Sequence, residues 1–109
     1  YQDAGNSSYG TAIVGTVSGT SISFGTPVVF ESANSSYISA TFDSNANKTV
    51  IAYVDTGNGS KATAIVGTVS GTSISFGSPA IVKSAVTEAT AATFDSSANK
   101  VTVTTERLV

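Results

Sequence analysis

Asp55-Thr56-Gly57 closes the apolar run Ala52-Tyr53-Val54. An aspartate at the end of an apolar strand, followed by Thr-Gly, presents one half of an acid/base dyad. Two such carboxyls sharing one proton would activate water for peptide hydrolysis. The dyad needs a second copy. The equivalents are Asp3-Ala4-Gly5 and Arg107-Leu108-Val109, of which the last carries no carboxylate. The motif is therefore read as a Gly-containing turn. Asp43-Ser44-Asn45-Ala46-Asn47 places oxygen-bearing side chains as the start of a calcium loop does. Lys48 stands where that loop requires Gly, and Val54 where it requires Glu. Its counterpart Asp95-Ser96-Ser97-Ala98-Asn99 departs further. A hairpin turn, with Asp43 bonding its own backbone, is the expectation, and neither a metal nor a cofactor is expected. The remaining polar chemistry suits a sugar, which is held by amides and hydroxyls beside an aromatic platform. The candidate ligand-binding residues are Tyr9, Asn34, Tyr37 and Asn58, with Glu88 in the second copy.

The residue inventory narrows the chemistry further. His, Cys, Met and Trp are absent, so the chain has no imidazole base, thiol nucleophile or disulfide. No nucleophile–base pair is visible and no enzymatic activity is expected. Charged residues make up 11 % of the chain and the net charge is −2, which supplies no basic footprint for nucleic acid or an anionic membrane surface. No apolar run approaches the ~20 residues that a membrane helix needs. Val, Ile and Thr fill 36 of the 109 positions and Leu occurs once, a mixture that packs on pleated sheets and is poor for helices. The missing initiator Met suggests a processed chain or an excised fragment.

What must position these residues is a repeat. Thr11 to Gly25 (TAIVGTVSGTSISFG) returns letter for letter as Thr63 to Gly77, and residues 1–52 set against 53–104 give 31 identical pairs. A period of this size belongs to propellers and solenoids, whose units cannot bury their apolar faces alone. Within the central unit, Tyr37 to Asp43 alternates as a first strand, with Ile38, Ala40 and Phe42 on one face. Lys48 to Asp55 reads as a second strand buried on both faces. Ala62 to Val69 is a third, with Gly67 a bulge or close approach, and Ser70-Gly71 is a two-residue hairpin turn into a fourth strand, Thr72 to Val82. Pro79 and its counterpart Pro27 place that fourth strand at an edge or a bulge, because proline cannot donate to a ladder. Phe42 and Phe94 are expected to be equivalent and buried, and Phe24 and Phe76 to be equivalent fourth-strand residues.

Four antiparallel strands with an edge strand last describe a propeller blade. The expected fold is all-β: a β-propeller fragment of about two four-stranded blades in one repeat domain. Residues 1–36 form a half-blade of strands three and four, 37–84 a complete blade, and 85–109 a half-blade of strands one and two.

The stretch Phe42 to Asn58 (FDSNANKTVIAYVDTGN) resembles the repeat of NHL-type and related β-propellers, in which an inner strand ends in Asp, a polar turn follows, and a second strand runs into an Asp-Thr-Gly-Asn loop. The near-identity of the copies also resembles the amplified propeller repeats of bacterial surface proteins and phage tail or fibre proteins. These resemblances imply a non-enzymatic structural or interaction module of a larger extracellular or virion-associated protein. The alternative is a carbohydrate-binding propeller, a lectin or adhesin. Two-repeat trimeric propeller lectins share the architecture, but their Trp and Arg sugar contacts have no counterpart here. Two leftover half-blades imply closure by homo-oligomerisation, with strands of Ala89 to Thr105 pairing with Thr11 to Phe30 of a neighbour, and a trimer of six blades favoured.

Overall fold

The chain is all-β in its computed structural model, which describes residues 1–107. In order along it come β1 (Gln2–Asp3), a 3₁₀ turn (Ala4–Asn6), β2 (Tyr9–Ala12), β3 (Gly15–Ser18), β4 (Ser21–Phe24) and β5 (Val28–Asp43). Then follow β6 (Lys48–Asp55), a second 3₁₀ turn (Thr56–Asn58), β7 (Lys61–Ser70), β8 (Ser73–Phe76), β9 (Ala80–Val86), β10 (Ala89–Asp95) and β11 (Lys100–Glu106). One sheet runs β1-β2-β5-β6-β7-β8, with β9 also on β7, and curls like half a barrel; β3–β4 and β10–β11 are separate hairpins. A curled antiparallel sheet of this kind is compatible with a propeller-like fold.

The sequence pattern explains the central ladder. β6 is almost wholly β-branched, aliphatic and aromatic, and it pairs with β5 on one edge and β7 on the other. Its start is set by the turn in which the Asp43 carboxylate accepts the Asn45 and Ala46 N–H groups and Asn47 takes a left-handed φ of 55°. The β7–β8 turn is Gly71-Thr72, one residue later than the sequence suggests, and Gly71 supplies the positive φ of 62° that such a hairpin requires. The fourth strand is interrupted at Gly77-Ser78-Pro79: β8 pairs with the far half of β7 and β9 with its near half. Proline thus sits in the break, as its missing donor demands. Gly67 makes no bulge; a Cβ there would press on the Ile74 and Phe76 side chains that lie over it.

The two copies share local contacts, although the third strand is broken after Ala12 in the first and continuous as β7 in the second. Thr11 and Thr63 hydroxyls donate to the carbonyls of Tyr9 and Lys61, and the Gly25 and Gly77 N–H groups donate to Val14 and Val66. The fourth strand of the first copy runs without interruption into the first strand of the next as the sixteen-residue β5, so the border at 36/37 falls inside a strand. Tyr37, in left-handed conformation at φ 49°, marks a shift of register between Ser36 and Ser39. Beyond it, β10 lies beside β5: the Thr90 hydroxyl donates to the Tyr37 carbonyl and the Ala92 N–H to the Ser39 hydroxyl. Both contacts join residues 53 apart, so the two first strands run the same way.

The core is Phe30, Ile51, Tyr53 and Ile65, with Ala12, Ile38 and Phe76 against it. Phe30 meets Tyr53 edge-on at 5.0 Å between centroids and Phe76 at 5.8 Å. Phe42 corrects the expectation. It holds the same register as Phe94, opposite Thr49 where Phe94 is opposite Val101, but its side chain is 55 % exposed. Burial along β6 fades from Asp55 toward Lys48, and Phe42 pairs with that uncovered end. Replacing Phe30 by Ala should therefore cost about 3–5 kcal/mol in urea denaturation, the range for a buried Phe. Phe42→Ala should cost well under that; equal losses would contradict this placement of the core.

Candidate functional site

The polar residues gather at one end of the sheet because the registers put them in a row. Asp3 faces Tyr9 and Tyr9 faces Asn34; next to Asn34, Ser35 faces Asp55, which faces Lys61, which faces Val86. The Gln2 amide donates to Asn34 Oδ1 at 3.0 Å and to the Ser35 carbonyl at 2.8 Å. Asn58 ends the 3₁₀ turn that follows Asp55, and that turn packs on β5 at Ala33. Thr87 N–H donates to the Ser60 carbonyl, which brings the neighbouring Glu88 to the same end; Glu88 N–H itself donates to the Glu106 carbonyl. Tyr37 lies three residues past Asn34, is 59 % exposed and points no hydroxyl at a protein partner among the described residues. Of the five candidates, Tyr9 and Asn34 are brought directly opposite each other; Tyr37 lies further along β5, Asn58 on the 3₁₀ turn after β6 and Glu88 in the bend after β9, so the five do not form one site.

A second cluster had no sequence signal. Tyr53, wholly buried, donates its hydroxyl to Glu31 Oε1 at 2.9 Å, and Asp55 lies close to the same carboxyl. Asp55 Oδ1 is buried without a hydrogen-bond partner. Burial pushes the Glu31 carboxyl above its ordinary value of 4.5; the Tyr53 hydroxyl pulls the other way, and Asp55 adds to the rise. Burial and then Glu31 drive the Tyr53 phenol far upward, so it stays protonated. The cluster cross-ties β5 to β6 where Phe30 and Tyr53 pack. Glu31 and Tyr53 stand 22 residues apart, and Glu31 lies on the part of β5 that pairs with β2, so the curl of the sheet brings them together.

The motif chemistry is absorbed by turns. Asp3 Oδ1 accepts the Gly5 N–H, and β2 and β5 stand between it and Asp55, so the two cannot share a proton. Leu108 and Val109 of the third copy lie outside the described residues. Asp43 Oδ1 and Asp95 Oδ1 each accept two backbone N–H groups of their own turn. Among the described residues, no group of three or more His, Cys, Asp or Glu side chains could hold a metal ion. A cleft of about 310 Å³ is apolar and lies elsewhere, between Phe30, Ile38, Ile51, Val69 and Ile74. Compared with known proteins, the chain matches no family model, no curated protein and no solved structure.

Glu31 gives a pH dependence of defined sign. A carboxyl whose folded pKa is raised favours the fold when protonated. Its contribution is complete below the unfolded value near 4.5 and is lost as pH rises through the folded value. Glu31→Gln keeps an oxygen for the Tyr53 hydroxyl and removes the charge. The variant should have a higher urea midpoint than the parent at pH 7 and a smaller difference from it at pH 4.5; a lower midpoint at pH 7 would contradict the assignment.

Proposed function

We propose that the chain is a non-enzymatic structural or interaction module, a β-propeller-like unit of a larger extracellular or virion-associated protein. The observation that carries this reading is where the reactive and the apolar groups stand. The turn carboxylates of Asp3, Asp43 and Asp95 accept backbone N–H groups, and the Glu31 carboxyl accepts the Tyr53 hydroxyl. Large apolar side chains, in contrast, face outward: Val17 is 71 % exposed, Phe24 59 %, Ile22 54 % and Ile81 51 %. Apolar surface on this scale marks contact surfaces rather than solvent faces. The near-identical copies support placement in the repeat arrays of surface and virion proteins. Association of three chains would supply six blades, within the four to eight that close a propeller.

A glycan-binding reading is favoured by one feature, the half-buried Tyr9 ring opposite Asn34 with the Gln2 amide beside it. The two readings separate in one set of measurements. The module should turn over no peptide or glycoside substrate and show no saturable binding on a glycan array. Saturable saccharide binding that Tyr9→Ala and Asn34→Ala both abolish would establish the lectin instead.

A further inference from the structure

The border between the two units is crossed by more than the backbone of β5. Glu31 stands before it, and Tyr53 and Asp55 stand after it on β6. The Tyr53 hydroxyl that reaches Glu31 Oε1 at 2.9 Å therefore ties one unit to the next. The 3₁₀ turn behind Asp55 presses on the same strand, since a Cβ on Gly57 would overlap the Ala33 side chain. Asp55 also departs from the other turn aspartates. Asp3, Asp43 and Asp95 each accept N–H groups of their own turns, whereas Asp55 caps none, and its Oδ1 is buried without a partner. The Asp55 carboxyl lies against that of Glu31.

Two carboxylates so placed repel each other, and the pair takes up a proton more readily than either would in water. The surroundings supply no countercharge in contact with them. β2 sets Gly10 opposite Glu31, and the Tyr1 amine near it donates to the Thr11 carbonyl. On β1, Asp3 is turned to the Gly5 N–H. On β7, Lys61 lies across the ladder from Asp55 but leaves Asp55 Oδ1 unpartnered. Lys83 of β9 is opposite Ala62. The Tyr53 phenol stays protonated and acts only as a donor.

The cluster is not a by-product of the repeat. One period on, Glu31, Tyr53 and Asp55 become Lys83, Thr105 and Arg107. Both carboxyls give way to bases and the phenol to a short hydroxyl, while Thr11 to Gly25 returns unchanged as Thr63 to Gly77. Three residues that meet in space thus differ together, and the carboxyl pair belongs to this one border.

We infer that Glu31, Asp55 and Tyr53 form an acid-closed latch across the border between the two units. One proton, taken up from water, closes it: the two carboxyls share that proton in an O–H···O bond, and the Tyr53 hydroxyl fills a further lone pair of Glu31. Loss of the proton leaves two carboxylates face to face. They part toward solvent, and the half of β5 that carries Glu31 loosens against β6. The latch sets how firmly successive units are joined, and it is independent of what the module binds.

Hydrogen exchange followed by mass spectrometry from about pH 4 to about pH 8, corrected for the intrinsic pH dependence of exchange, tests the latch. A folded carboxyl held above its ordinary value of 4.5 favours the closed state fully below that value and loses its effect as pH rises through the folded one. Protection of residues 30–36 should fall accordingly, by up to about tenfold per pH unit for one proton. Protection of Ala62 to Val66, in the ladder between β6 and β7, should hardly change. Glu31→Gln keeps an acceptor for Tyr53 and should hold residues 30–36 closed across the range. Asp55→Asn removes the second charge and should move the fall to lower pH. Parent protection that does not vary with pH, or a Glu31→Gln chain that varies as the parent does, overturns the latch. So does protection that added calcium restores at neutral pH in the parent and not in Glu31→Gln, because a cation and not a proton would then join the carboxyls.

Discussion

Strand β6 has hydrogen-bonded neighbours on both edges, and the order of the chain radiates from that condition. An extended backbone carries donors and acceptors on both sides, and in a buried strand all of them need partners. β5 and β7 supply them, and five consecutive residues, Ile51 to Asp55, are buried at the end where Phe30 and Ile65 pack on the strand. Phe30, Tyr53 and Ile65 then meet across three strands, and the Tyr53 hydroxyl reaches Glu31 on the part of β5 that pairs with β2. β11 matches β6 at the start and keeps its alternating β-branched character, but no residue of it is buried. Composition alone does not make a core here, and pairing on both edges does not suffice either, since Thr49 and Val50 are paired on both sides and only half-buried.

Much of this was legible. Lys48 to Asp55 emerges with the bounds its sequence suggests, since an Asx turn precedes it and an Asp-Thr-Gly turn ends it. The repeat aligned the registers of Phe42 and Phe94 correctly. Proline's missing donor pointed to an edge or a bulge, but the fourth strand, which reads as one piece from Thr72 to Val82, is broken at Gly77-Ser78-Pro79. Burial was less legible. A period of two says which face Phe42 shares with Ile38, but not how far along the strand its cover extends, and Phe42 lies beyond the end of that cover. Phe30 was unremarked because its strand read as outermost. The Glu31–Tyr53–Asp55 cluster was invisible, because it depends on how the sheet folds two residues 22 apart in sequence against each other.

The polar cluster and the open apolar faces have opposite characters. The cluster is satisfied from within, save for one Asp55 oxygen, and it ties two strands of one sheet where the aromatic packing is densest. Val17, Ile22 and Phe24 have no such closure, although their counterparts Val69, Ile74 and Phe76 are all less exposed. The contrast between identical segments is the most direct internal control a repeat protein offers.

The unbroken passage of β5 from one copy into the next has a consequence for how such a chain can change length. No flexible joint separates the units, and each unit contacts only its neighbours, as in other arrays whose energetics are nearest-neighbour sums. Gain or loss of one whole period in the gene would therefore preserve the surroundings of interior units, while a cut of any other size would slip every strand downstream onto the wrong partner.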